Sequence, residues 1–323
     1  MRQFQKNIHL SGLTNYKIGG PAAFFFEARN PGEVLWAVEA AKKSKIGFFV
    51  LGAGTNVLIP DEGFEGLVLR PKIDFIEIDG NLVRAGAGAL MSDVLRAVAE
   101  AGLSGLEWAG GLPGTLGGAI RGNAGAFKGE IKDVVREVES FDAKTLEFLM
   151  RTNAESKFSY RSSVFKERGG DEIILSATLS LKRGDPQRIA TAIEEKIAYR
   201  LARHPMDYPN VGSMFKNVSL AQIHAEGTTD YAEAVRNSSF SLRRSMVPVK
   251  IDPFPVVPTA YLISESGLKG VSFGGAMVSP KHPNFIVNVL NARAFDVKNL
   301  ISLVKEQVAE QFAVNLEEEV HML

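Results

Sequence analysis

The hydrophobic positions of this chain change period repeatedly, and the changes predict strands alternating with helices. Residues 22–28, AAFFFEA, form a continuous apolar run of strand length. Asn30-Pro31 then opens a helix, with Asn30 at the N-cap, Pro31 at the first helical position and Glu33 three residues after the cap. Val34, Leu35 and Val38 recur at helical spacing, and Trp36 widens that face. A strand from Phe48 to Leu51 runs straight into GAGTN. Further strands are expected at 67–70, 73–79 and 82–86, the last two joined by Asp79-Gly80-Asn81. Ser92 is expected to cap a helix ending near Gly102, with Val94, Leu95 and Val98 on its buried side.

A second glycine-rich segment, 110–126, separates this part from strands at 134–142, 146–151 and 172–182. The next helix starts near Pro186 and runs to about Arg203, where His204-Pro205 breaks it. Residues 219–256 are polar, lack clear periodicity and read as a long, flexible loop or insertion. Order returns at 257–292 with strand-like FIVNVL (285–290). A last amphipathic helix carries Val297, Leu300, Ile301, Val304, Val308 and Phe312, with Asp296 expected as N-cap, and NLEEEVHML ends in a short strand. The domain boundary is expected between 185 and 205.

Composition narrows the class. A chain of 323 residues is comfortable for two domains, and 45% hydrophobic residues suffice for a sizeable core. The formal net charge is zero, which gives no basic face for nucleic acid or an anionic membrane. The absence of cysteine excludes disulfides, thiolate metal sites and a catalytic thiol, and fits a reducing compartment. No signal-peptide core or membrane-length apolar run is present, so a cytoplasmic location is expected.

Glycine is needed where the backbone takes positive φ or approaches a ligand closely. In GAGTN, Gly52 and Gly54 follow a buried strand, and such loops expose consecutive N–H groups that suit a pyrophosphate. A tight strand-to-loop turn has the same appearance. The segment GGLPGTLGGAIRGNAGA carries seven glycines in seventeen residues, among apolar neighbours. It is apolar enough to be buried, so its N–H groups need partners, which a phosphate-rich cofactor would supply. The alternative is a sharply bent stretch between packed elements. Neither loop is a GxGxxG opening a helix, so a nicotinamide-type Rossmann domain is disfavoured.

Four polar clusters carry groups suited to chemistry. FSYRSSVFK (158–166) flanks Tyr160 and Arg161 with Phe158 and Phe165, and an arginine held there suits a carboxylate or oxyanion. From this cluster alone, a surface strand with a structural ion pair is the better reading. VGSMFKN (211–217) places Ser213 after a glycine, with Lys216 and Asn217 following, but it lacks the GxSxG elbow of a hydrolase. The segment 268–288 holds Gly274, Gly275, Ser279, Lys281, His282 and Asn284, a set able to bind a polar ligand. The histidines show no metal-ligand spacing, so no metal is expected. In EEE (317–319), strand alternation would point Glu317 and Glu319 one way and Glu318 the other.

In order and spacing these segments resemble UDP-N-acetylenolpyruvoylglucosamine reductase, the MurB family, in its shorter second type. The resemblance runs from NYKIGGPA (15–22) through LGAGTNVLI (51–59), GLPGTLGGAIRGNAGAF (111–127), SYRSSVFK (159–166), GSMFKN (212–217) and LISESGLKGVSFGGAMVSPKHPNFIVN (262–288) to LEEEV (316–320). It implies an α+β fold of the vanillyl-alcohol oxidase type. A two-lobed FAD-binding region would span 1–190, with lobes of roughly 1–75 and 76–190, and a C-terminal α+β substrate domain would span 191–323. FAD would be held non-covalently by Gly52, Ala53, Gly54, Thr55, Asn56, Val57, Gly111, Pro113, Gly114, Thr115, Gly117, Gly118, Ala119, Asn123 and Gly125.

The resemblance also implies the reaction. NADPH reduces FAD, flavin N5 passes hydride to C3 of the enolpyruvyl ether of UDP-N-acetylglucosamine, and a serine protonates C2. Ser213 falls on that proton donor, Arg161 on the arginine that stabilises the enolate, and Glu319 on the acidic residue that assists in its protonated form. Lys216 and Asn217 would bind the diphosphate or sugar, with Tyr160 a further substrate contact. The partner is this small nucleotide sugar, with no nucleic acid or membrane, and the chain would be a monomer or weak oligomer. The sequence departs from the family pattern at Val218 (commonly proline), Phe127 (commonly tyrosine), His321 (commonly arginine) and in the length of 219–256. The competing readings are another FAD-dependent oxidase or dehydrogenase of this fold, and a non-catalytic flavin or nucleotide-sugar binding protein.

Overall fold

The computed structural model describes residues 3–225, 231–242, 245–252 and 254–323. The chain divides into two compact units. The first comprises 1–13, 20–55 and 62–202; the second comprises 14–19, 56–61 and 203–323.

The first unit is built on two sheets. In the four-stranded sheet, Gln5–His9 pairs antiparallel with Pro21–Ala28, which runs parallel to Phe64–Pro71, which runs parallel to Phe48–Val50. Helix α1 (Pro31–Lys43) covers it with Val34, Ala37, Val38 and Ala41. Asn30 caps α1 as expected, its Oδ1 accepting from the Glu33 N–H at 3.0 Å. Glu33 reaches back to the N–H of Arg29.

The five-stranded sheet has the order Glu147–Thr152, Val135–Asp142, Glu172–Ser180, Leu82–Gly86, Ile76–Asp79, all antiparallel. Helices α2 (Met91–Glu100) and α3 (Leu116–Arg121) pack on it, and α4 (Val164–Glu167) and α5 (Pro186–Arg203) complete the unit. The start of α2 differs from the sequence expectation. Ser92 is already inside the helix, and the cap position is Leu90, which makes no side-chain cap bond. The backbone decides it: Leu90 bridges Thr115, and the Met91 N–H donates to Gly114 O.

The second unit gathers the remaining elements around one apolar core. Helices α6 (Leu220–Ala225), α7 (Tyr231–Asn237) and α8 (Thr259–Glu265), and the long α9 (Ala294–Phe312), surround short antiparallel ladders. The segment read as an irregular loop therefore holds helices and the hairpin Ser239–Leu242 with Ser245–Pro248, whose Phe240, Leu242 and Val247 are buried. Its elements are too short to show a period in sequence. Residues 226–230, 243–244 and 253 of that segment lie outside the described residues. Val218, where the resembled family carries proline, sits in a ladder opposite Val257.

Two early pieces of chain complete this unit. Tyr16 is fully buried and donates from its hydroxyl to Ile286 O at 2.8 Å, while Asn288 Nδ2 donates to Tyr16 O. Val57–Leu58 runs parallel to His321–Met322. Asp61 accepts from the first N–H groups of α9, at Ala294 (2.8 Å) and Phe295 (3.1 Å). The cap of α9 is thus remote in sequence, and Asp296 stands inside the helix, where its carboxylate accepts from the N–H groups of Arg293 and Gly275. Aspartates at a helix start offset the exposed N–H groups and the positive end of the dipole.

Candidate functional site

The two glycine loops meet in the first unit. A Cβ added to Gly52 would lie 3.1 Å from Thr115 Oγ1, and one added to Gly114 would lie 2.9 Å from Thr55 Oγ1. Gly54 has φ +67° and Gly114 φ +111°, so both positions favour glycine on backbone grounds too. Among the described residues, the N–H groups of Gly52, Ala53, Gly54, Thr55, Gly114 and Thr115 have no acceptor. Gly54 and Thr115 are buried. Buried backbone donors are nearly always paired, so unpaired ones gathered on two adjacent loops fit an anion.

The rest of the long glycine segment departs from expectation. Most of its N–H groups are already satisfied within the protein. Leu116 and Gly117 donate to Ala89 O and Ala87 O, Ala119 to Thr115 O, and Gly118 to Thr115 Oγ1, the N-cap of α3. Several of its glycines serve packing. A Cβ on Gly110 would lie 2.5 Å from Ile193 O of α5, one on Gly111 3.1 Å from Arg200 Cδ, and one on Gly117 2.9 Å from Ala87 Cβ. Asn123, at φ +41°, spends its amide on the protein, donating to Ser159 O at 2.9 Å and accepting from the Lys132 N–H.

That amide ties the glycine segment to the SYRS motif. Residues 159–162 form a tight turn, not a strand, with Ser159 and Ser162 exchanging both backbone hydrogen bonds. Arg161 sits in it at φ +54°, its Nη2 donating to Gly125 O at 2.8 Å and its guanidinium 5.1 Å from the Tyr160 ring centroid. A left-handed conformation at a non-glycine residue is strained and is held by its surroundings, a pattern found at functional sites.

Ser213 and Glu319 come together in the second unit. The segments around them pair in antiparallel fashion: Phe215 bridges Glu318, the Glu319 N–H donates to Met214 O at 2.9 Å, and the Lys216 N–H donates to Glu317 O at 2.9 Å. Both Ser213 and Glu319 are half-buried. Glu317 pairs with Lys216, and Glu318 with Lys305 of α9 at 2.8 Å. Asn56, at the end of the first glycine loop, fastens the same segment, donating to Glu319 O at 3.3 Å and accepting from the His321 N–H at 3.1 Å. Asn217 Oδ1 accepts from the Thr259 N–H.

Asn284 is a positioning residue that sequence reading took only for part of a ligand-binding cluster. It is buried and clamps the strand after Ser213: its Oδ1 accepts from the Phe215 N–H at 3.0 Å, its Nδ2 donates to Phe215 O at 2.8 Å, and its carbonyl accepts from Met214. In the same cluster, Ser279 Oγ accepts from the N–H groups of Lys281 and His282. Among the described residues, no group of acidic or histidine side chains could hold a metal ion, and no helix is long and apolar enough to cross a membrane.

Two family models match the chain. Residues 204–323 fit the family model described as UDP-N-acetylenolpyruvoylglucosamine reductase, C-terminal domain, and residues 22–145 fit that of an FAD binding domain. The UDP-N-acetylenolpyruvoylglucosamine reductase of Caldanaerobacter subterraneus is 36% identical, covering 96% of this chain and 90% of its own. The chain belongs to the UDP-N-acetylenolpyruvoylglucosamine reductase family. The enzyme of that name from Carboxydothermus hydrogenoformans is 37% identical over 98% of this chain and 93% of its own. The crystal structure of the reductase (MurB) from Thermus caldophilus superposes with a TM-score of 0.74 at 29% identity, covering 100% of this chain and 99% of that one. Family membership makes the chain an FAD-dependent oxidoreductase of α+β fold.

Proposed function

We propose that this chain reduces the enolpyruvyl ether of UDP-N-acetylglucosamine to the lactyl ether of UDP-N-acetylmuramate, a peptidoglycan precursor, with NADPH as the source of electrons. The observation that carries the reading is the set of unpaired N–H groups at Gly52–Thr55 and Gly114–Thr115. These residues fit the pyrophosphate of FAD, with the sheets within 1–75 and 76–190 as the two lobes around it. Bound FAD would supply the hydride that adds to C3 of the enolpyruvyl group.

The chain's own residues handle charge and proton. The Arg161 guanidinium faces the carboxylate on which negative charge grows, an interaction that strengthens as the double bond is reduced. Glu319, protonated, donates to the same charge. Ser213 Oγ gives its proton to C2 and is reprotonated from solvent. A serine is a weak acid, so its use depends on the high basicity of the carbanion it quenches. The ladder between Ser213–Lys216 and Glu317–Glu319, with the Asn284 clamp, supports this pairing of Ser213 with Glu319. Lys216 and Asn217 contact the nucleotide sugar, and the enzyme works in the cytoplasm on this charged substrate.

The test separates the two half-reactions. The purified protein should carry a flavin absorbance band and oxidise NADPH only when the enolpyruvyl nucleotide sugar is present. Ser213→Ala should leave flavin reduction by NADPH nearly intact and slow flavin reoxidation by substrate at least a thousandfold, or about 4 kcal/mol of transition-state stabilisation. Equal loss in both halves would count against the proton-donor role. Rapid reoxidation by oxygen alone would favour an oxidase.

A further inference from the structure

Helix α5 carries a second arginine to the glycine segment of the first unit. Arg200 is seated with care: its Nε donates to Gly110 O at 2.8 Å, its guanidinium lies 5.4 Å from the Phe127 ring centroid, and Gly111 leaves room for its Cδ. Phe127 is two residues beyond Gly125, whose carbonyl accepts from Arg161. Arg200 Nη2 is buried and has no hydrogen-bond partner. Its neighbour Lys196 lies over the same ring but pairs with Glu195; among the described residues no carboxylate pairs with Arg200. Burial and the charge of Arg161 both disfavour its charged form. Two cations held close, one with an unspent buried donor, is an arrangement that an anion relieves.

We infer that Arg200 is a second guanidinium of the substrate site, taking the enolpyruvyl carboxylate alongside Arg161; the inference rests on the reductase reading above. Nε and the ring of Phe127 fix the plane of the guanidinium, and Nη2 supplies the bond. A carboxylate offers enough lone pairs for both arginines at once. The role is binding, so its loss falls on KM more than on kcat.

The experiment is calorimetric titration of the oxidised FAD-loaded protein with two ligands, the enolpyruvyl nucleotide sugar and UDP-N-acetylglucosamine, which lacks the carboxylate. Arg200→Gln should weaken the first roughly ten- to hundredfold, as expected for one charge-assisted hydrogen bond, and change the second by less than about twofold. The flavin spectrum and the rate of flavin reduction by NADPH should not change. Arg200→Lys keeps the charge and loses the fork, so it should fall between, again for the enolpyruvyl ligand only. If Arg200→Gln does not fold, Arg200→Lys decides the matter by the same comparison. Equal weakening of both ligands, no weakening of either, or release of flavin would overturn the assignment. A wild-type protein that binds neither nucleotide sugar would sink the reductase reading and this inference with it.

Discussion

Gly114→Ala and Gly122→Ala sit eight residues apart in one glycine-rich segment, and the structure gives them opposite outcomes. Gly114 has φ +111°, and its added methyl would lie 2.9 Å from Thr55 Oγ1 in the facing loop. An L-residue held in that part of backbone space costs about 1–3 kcal/mol, and the methyl also pushes the two loops apart. Gly122 ends α3 at φ −91°, and its methyl would meet only Gly118 O at 3.6 Å, an ordinary contact. There alanine lowers the entropy of the unfolded chain and should be neutral or stabilise by up to about 1 kcal/mol. Thermal unfolding of the flavin-free proteins measures the backbone effect, and Gly114→Ala should melt several degrees lower. Equilibrium titration with FAD measures the loop effect. The unpaired donors at Gly52–Thr55 and Gly114–Thr115 are then displaced from one another, so FAD affinity should fall at least tenfold, or about 1.4 kcal/mol. Gly122→Ala should bind FAD as the parent does. If Gly114→Ala matches the parent in both assays, or Gly122→Ala is as damaging, the two loops do not form the flavin cradle.

Tyr16→Phe should lower stability by about 1–3 kcal/mol, because it leaves the buried Ile286 carbonyl without its donor; denaturant unfolding checks it, and an unchanged midpoint refutes it. Burial makes that phenol hard to ionise. Asp61→Ala should cost about 0.5–2 kcal/mol by removing the cap from α9, with Asp61→Asn recovering part of it in the same assay. Burial, and then the charge of Lys250, hold His282 below its ordinary pKa. The unfolded chain therefore takes up more protons than the folded one below about pH 6.5, and this histidine's contribution is present above that pH and lost as pH falls. His282→Asn should flatten the fall in melting temperature between about pH 7 and 5; an unaltered slope would assign it elsewhere.

Much of the fold is legible from local signals, and the failures share a cause. Asn30 was readable as a cap because its acceptor is three residues away. Ser92 and Asp296 look like caps by the same rule, yet the chain ahead of α2 is fixed by a bridge to Thr115, and α9 takes its acceptor from Asp61, far back in sequence. The hairpin 239–248 was invisible because strands of four residues are too short to establish a period. The glycine segment was half legible. Composition shows that it must be tight, but only the packing of α5 distinguishes Gly110 and Gly111, which seat a helix, from Gly114, which faces another loop. Ser213 and Glu319 lie far apart in sequence, and their shared ladder depends on an asparagine, Asn284, that no local pattern marks as structural.

The interleaving of the two units governs the order in which they can be completed during synthesis. Residues 14–19 and 56–61 leave the ribosome early, but the rest of the unit they belong to comes after residue 202. Tyr16 must wait for Ile286, Asp61 for the start of α9, and Val57–Leu58 for His321–Met322. The first unit can assemble its sheets while these two tethers stay unsatisfied. A fragment starting at Arg203 would lack a buried aromatic, a strand partner and a helix cap. The second unit is therefore not a separable module in the genetic sense: excising it, or grafting it onto another chain, requires carrying those two short segments with it.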